Sequence, residues 1–445
     1  MFRRCLLFTT PQLRDLIHRL DYFEKELIEL KAFRQVVEAA SPDLAAAAEV
    51  LARERRKFRE DLDVVVDNPL TAEEFVELNQ FYAVQKEKRL PLVNMMHIRN
   101  IEDLYAYAKI IHREKLVRLA QRARALNHAP MGLSQMPSIQ ELRRWYEWSF
   151  HGIKSTKLPV DLESAREFDA MVRCIFLRHY NVSALLSEGM YELGRREMWS
   201  ERDFSDKTLA PALEEIQSFF DDFCGGRVRL RFLVGHYMYL STHILHVEDK
   251  DVEKLTRPLF FDHDPSSFVG MICRECSLAA VVKCAIRAAT ELYDESNIEL
   301  RIAGDPNLTF VGIPYVMYDV LSAMIDDAIQ ANVMRQEKYG VACTPVVVTI
   351  SQRDENEQIC VRVSDTAGGM PLEEVRHALK YWSAFKATEH EKKVCKTWIH
   401  SPIRMPYAYC AARAIGGDIS VVSIEAYGTD RILYIPRSGL KDISI

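Results

Sequence analysis

The stretch Val361-Arg362-Val363-Ser364-Asp365-Thr366-Ala367-Gly368-Gly369-Met370-Pro371 decides how this chain is read. It continues "QICVRVSD" (358–365), an alternating β-branched run that predicts a strand. The strand ends on an acid, and two glycines follow. A carboxylate aimed by a strand, with a glycine turn where bare backbone approaches a ligand, is common at the edge of a nucleotide site. Most such turns simply end a strand.

Outward from this point the pattern stays mixed. "TPVVVTISQ" (344–352) precedes it across polar "RDENE", which predicts a hairpin. A helix-like stretch at 268–293, the strand "IELRIA" (298–303) and a helix at 314–335 come before. After it come the helix "PLEEVRHALKYW", a polar Lys/Glu-rich stretch, a helix at 404–415, Gly416-Gly417-Asp418, and the strands "ISVVSIE" and "RILYIP". The fold class is α+β, with one mixed sheet carrying helices on one face over residues 265–445.

The N-terminal half reads differently. Long amphipathic patterns at 98–127, 138–153, 162–193 and 207–246, broken by Pro130, Gly132 and Pro137, predict a helical bundle over 67–250. Asn68-Pro69 breaks an earlier helical pattern (12–62), and Thr71 with Glu74 forms a capping box for a new helix. Residues 21–66 form an extra helical segment. The opening "MFRRCLLFTTPQLRDL" is basic, hydroxyl-bearing and free of acids before Asp15, which reads as a mitochondrial transit peptide over 1–20.

Composition narrows the classes. Lys+Arg 58 against Asp+Glu 64, net charge -6, excludes a nucleic-acid coat. No apolar run reaches the ~18 residues of a membrane helix. Ten scattered cysteines do not make a disulfide scaffold. Cys273 and Cys276 have the CxxC spacing, but a zinc site needs a second pair, so they read as two cysteines of a helix.

Three elements recur in one order: the helix "SAMIDDAIQAN" (322–332), the strand and turn at 361–371, and "AYGTDRILYIP" (426–436). With "AARAIGGDISVVSIE", they resemble the nucleotide domain of the mitochondrial ketoacid dehydrogenase kinases, the pyruvate and branched-chain enzymes. That domain is of the GHKL type shared with histidine kinases and gyrase. The resemblance extends back to about Pro69 through "NPLTAEEF", "REKLVRLAQRARALNHAPMGLSQMPSIQELRRWYEWSF", "RHYNVSALLSEGMYE" and "IQSFFDDFCGGRVRLRFLVGHY". The short tail after Pro436 is similar to that of the branched-chain enzyme.

The resemblance implies ATP and Mg²⁺ as cofactors and serine phosphorylation as the reaction. It also implies the mitochondrial matrix as location and, as partner, a ketoacid dehydrogenase complex through the lipoyl domain of its acyltransferase core, or another mitochondrial assembly. The chain would be a dimer or a subunit of a complex. It implies that Asp365 accepts a hydrogen bond from adenine, with Thr429, Gly368 and Gly369 beside it. Arg227, Arg231 and His236 fall where the family has Arg, Arg and, in the branched-chain enzyme, His, and are candidates for partner docking.

The departures point away from catalysis. The family's first motif is E-x-x-K-N-A, whose Glu is the base and whose Asn holds Mg²⁺. This chain has Ala323-Met324-Ile325-Asp326-Asp327-Ala328. A methyl group accepts no proton, so Ala323 leaves no base. Asp327 remains a candidate Mg²⁺ ligand, but adjacent Asp326 and Asp327 would repel a triphosphate unless a cation intervenes. The second motif, D-x-G-x-G, has Ala367 for its first glycine, costing about 1 kcal/mol if that position needs a positive φ. The lid motif G-[FY]-G-L-P is Pro402-Ile403-Arg404-Met405-Pro406, with both glycines gone and Arg404 offering only charge to a phosphate. Two classes stand: a binding member of the family without phosphoryl transfer, and a working kinase with a rearranged site.

Overall fold

A computed structural model describes residues 70–179, 182–197, 208–246, 263–292, 298–352, 358–386 and 403–437. The predicted transit peptide, the extra segment 21–66 and residues 387–402 of the lid lie outside these residues.

The predicted capping box opens α1 (Ala72–Glu77): Thr71 Oγ1 accepts from Glu74 N at 3.1 Å and Glu74 Oε2 from Thr71 N at 3.0 Å. A π-helical turn (Leu78–Tyr82) and α2 (Leu92–Met95) follow. The bundle proper is α3 (Ile101–Asn127), α4 (Pro137–Ser155), α5 (Leu162–Arg178), α6 (Val182–Arg196) and α7 (Ala210–Ile244). Prolines at the first turn start α4 and α7, where a missing N–H costs nothing. The helix expected over 162–193 is two, α5 ending at Arg178 and α6 starting at Val182. The 35 residues of α7 span about 50 Å and pack on α3 and α5. Leu119, Phe150, Phe168, Phe220, Phe223 and Tyr237 fill the centre of the bundle.

The second half corrects three expectations. Residues 268–277 are not helical: β1 (Phe268–Val269) and β2 (Ile272–Ser277) precede α8 (Leu278–Leu292). There are also two sheets among the described residues, not one. A small antiparallel sheet has the order β1-β2-β4, with β4 at Thr309–Gly312. The larger mixed sheet has the order β3-β5-β6-β8-β7. Its strands are β3 (Ile298–Gly304), β5 (Val346–Gln352), β6 (Gln358–Gly368), β7 (Asp418–Ile424) and β8 (Tyr427–Pro436). Only β3 with β5 is parallel.

Alternation gives this sheet one buried face, built from Val348, Ile350, Ile359, Val361, Val363, Leu433 and Ile435. Helix α9 (Pro314–Tyr339) covers it, packed between α8 and α11 (Arg404–Ala414). The helix predicted at 371–382 is a short α10 (Leu372–His377) and a 3-10 turn (Tyr381–Lys386). That turn ties the halves together: Tyr381 N donates to Gln217 on α7 at 3.0 Å, and its ring stacks on Phe220 with centroids 5.0 Å apart.

Candidate functional site

The strand phase that buries Ile359, Val361 and Val363 carries Asp365 to the same face, and it is 4% exposed. Asp365 Oδ1 accepts from Ala367 N at 2.8 Å, which starts the turn. Gly368 (φ +99) and Gly369 (φ +63) take left-handed conformations. Ala367 is not among the positive-φ residues, so the strain considered for it does not arise. A Cβ on Gly369 would sit 2.0 Å from Ile424 O, so this glycine lets the turn close on the β7–β8 hairpin. Thr429, opposite Asp365 in the register, is buried and its Oγ1 lies 2.9 Å from Ser423 Oγ.

Helix α9 presents the other residues. Ala323 is buried. Asp326 and Asp327, about 100° apart around the axis, face different neighbours. Asp326 pairs with Arg404 Nη1 of α11 at 2.9 Å. Asp327 Oδ2 accepts from Arg431 Nε at 2.5 Å, and Arg431 Nη1 donates to Asp365 Oδ2 at 2.6 Å. Burial opposes the charge of Arg431, yet its two carboxylate partners hold its pKa above the ordinary arginine value.

The repulsion expected between the adjacent acids is thus answered by two internal cations. The adenine-facing candidate and the metal-ligand candidate are joined by one guanidinium, and the phosphate-facing candidate is committed to Asp326. As arranged, Asp327 and Asp365 each give one carboxylate oxygen, Oδ2, to Arg431 rather than leaving it for Mg²⁺ or adenine. Sequence reasoning missed Arg431. Its signal was phase, since in "RILYIP" it alternates with Leu433 and Ile435 and so points inward.

The three docking candidates lie largely inside. Arg227 is buried and donates through Nη2 to His179 O at 2.7 Å. His236 is fully buried: its Nδ1 accepts from Met271 N at 3.2 Å, leaving Nε2–H to donate to Met95 O at 3.2 Å. Burial pushes the His236 imidazole down to about 4, against the Met95 hydrogen bond. It is a joint between α2, α7 and the β1–β2 turn. Arg231, half-buried, lies 4.1 Å from the Phe176 ring centroid. Arg227 and Arg231 line a cavity of about 30 Å³ with Lys115, Tyr146 and His179.

Residues 77–273 match the family described as mitochondrial branched-chain alpha-ketoacid dehydrogenase kinase. The mitochondrial pyruvate dehydrogenase (acetyl-transferring) kinase of Arabidopsis thaliana is 26% identical over 347 residues, 76% of this chain and 86% of that protein. Isozyme 4 of Mus musculus is 26% identical over 73% of this chain and 75% of its own length, and isozyme 3 of Homo sapiens 25% over 73% and 76%. The three motif elements lie in the expected order on α9, β6 and β8, and the similarity covers both halves of the chain. On these grounds the chain is similar in both halves to the mitochondrial pyruvate and branched-chain ketoacid dehydrogenase kinases.

Proposed function

We propose that this protein keeps the family's scaffold but not its phosphoryl transfer, and acts by binding a partner. One observation carries the proposal: Arg431 joins Asp327 to Asp365 across the site. Phosphoryl transfer is positioning and electrostatics, and the arrangement here withdraws both. The base position is the methyl of Ala323. The carboxylates for metal and adenine are neutralised from within. Arg404 is held by Asp326.

The partner that fits this reading is a ketoacid dehydrogenase complex, through the lipoyl domain of its acyltransferase core, or an active kinase of the same family held in a mixed dimer. The mitochondrial matrix is the matching location, since the relatives are named as mitochondrial kinases of pyruvate dehydrogenase. Among the described residues no helix is long and apolar enough to cross a membrane.

The test is calorimetric titration with ATP, with and without Mg²⁺, beside a phosphorylation assay on dehydrogenase subunits. The proposal expects no binding heat and no transfer. Mg²⁺-dependent micromolar binding with transfer, both lost in Asp365→Ala, would sink it. That outcome would favour a rearranged kinase, for which Asp319 is the relevant group. It lies one turn before Ala323, and burial raises its carboxyl pKa against the pull of Arg404, Arg231 and Arg227.

A further inference from the structure

Arg431 leaves β8 on the face that also carries the buried Leu433 and Ile435. Its side chain is 3% exposed. Burying a guanidinium this deeply is costly unless its partners are well placed, so its position needs a reason beyond packing.

The contacts of Asp365 give one. Its Oδ1 accepts from Ala367 N at 2.8 Å and its Oδ2 from Arg431 Nη1 at 2.6 Å. The Asp365 side chain is only 1% exposed, so a further donor has to come where Nη1 now stands. A base with an exocyclic amino group would bring a donor of the same kind, an N–H on a planar nitrogen aimed at one carboxylate oxygen. The guanidinium is itself flat and forked. It fills the place of such a base's edge and not only a place for charge.

The way in from solvent runs past Asp327. Its side chain is 46% exposed, and its Oδ2 accepts from Arg431 Nε at 2.5 Å. The same gap, between α9 and the turn after β6, is tied a second time nearer the surface. Arg335, about two turns beyond Asp327 on α9, donates through Nη1 to Thr366 O at 3.1 Å, and this pair is exposed. One arginine fills the gap and another clasps its rim.

We propose that Arg431 is the specificity-determining residue of this site: it occupies the place of an amino-bearing purine base, and a latent aminopurine site lies beneath it. This rests on the binding reading above and adds that one side chain, acting as an internal ligand, keeps the base out. With Nη1 gone, Asp365 Oδ2 is left for the amino group of the base. Arg404 and the lid take no part, so the opened site should tell bases apart with no phosphate attached.

The experiment titrates adenosine and purine riboside, without metal, into the full-length native protein and into Arg431→Ala, and reads the heat. Purine riboside is the same molecule without the amino group. Adenosine should bind Arg431→Ala at least about tenfold more tightly than it binds the native protein, the worth of one hydrogen bond to a charged acceptor. Purine riboside should not share the gain. Where Arg431→Ala does not fold, Arg431→Ala combined with Asp327→Asn, which strands one carboxylate fewer, takes its place, with circular dichroism as the check on helix content. A folded variant that binds adenosine no better than the native protein overturns the proposal, and so does an equal gain for purine riboside. Neither result touches the binding reading, which fails instead if the native protein binds ATP and transfers its phosphate.

Discussion

Arg431 on β8 sits beside Asp365 of the neighbouring β6, with Nη1 2.6 Å from Oδ2, and both residues are almost wholly buried. Removing one member of a buried pair strands the other's charge. Arg431→Met should therefore cost about 3–5 kcal/mol in urea unfolding. Asp365→Asn added to it should return part of that loss. Strictly additive losses in the double-mutant cycle would show that the two groups are not coupled.

The two glycines of the turn should differ when replaced. Gly368 at φ +99 has nothing within 4 Å of a new Cβ, whereas Gly369 at φ +63 would drive one onto Ile424 O at 2.0 Å. Gly368→Ala should cost about 1–2 kcal/mol from the dihedral alone. Gly369→Ala should cost more, because backbone must also move. Thermal midpoints in the reverse order would refute this reading of the hairpin contact.

Acid should weaken the joint at His236. Burial lowers its pKa from 6.5 to about 4, so the unfolded chain binds the proton first as pH falls. Stability from this group is complete above pH ~6.5 and is lost on the way down to about pH 4, at most ~3 kcal/mol. His236→Gln should flatten that part of the stability–pH curve. Equal slopes for the two proteins would argue against a buried neutral imidazole.

Lys115 makes the complementary case on the alkaline side. Burial, with Arg178 nearby and the Cys174 thiol opposing, brings its ammonium down to about 7. The unfolded chain keeps its proton up to pH ~10, so stability should climb as pH rises from about 7 to about 10. Lys115→Met should raise stability at pH 7 by about 2 kcal/mol or more and remove the climb. A destabilised variant would mean that Lys115 is stabilised in its charged form.

Much of the bundle was legible because its cues are local. Thr71–Glu74, Pro137 and the apolar spacing of α3 and α7 each act within a turn or two. The strand pair 344–352 and 358–365 was legible for the same reason. "ICRECS" was not, since a bulge that turns Cys273 and Cys276 to one face erases the alternation that marks a strand. The candidate site was half legible. Asp365 and the loss at Ala323 could be read from position in a motif. The partner of Asp327 could not, because Arg431 is 104 residues away and reaches it only after β8 has paired with β6.

Helix α7 also sets a timetable for synthesis. Its Gln217 and Phe220 receive Tyr381, and the Gln217–Tyr381 bond closes a gap of 164 positions. At about 5–20 residues per second, roughly 10–30 s separate the two ends leaving the ribosome. Through that interval the nascent bundle exposes the aromatic face of α7 that the later turn will cover, which makes it a target for chaperones until the sheet arrives.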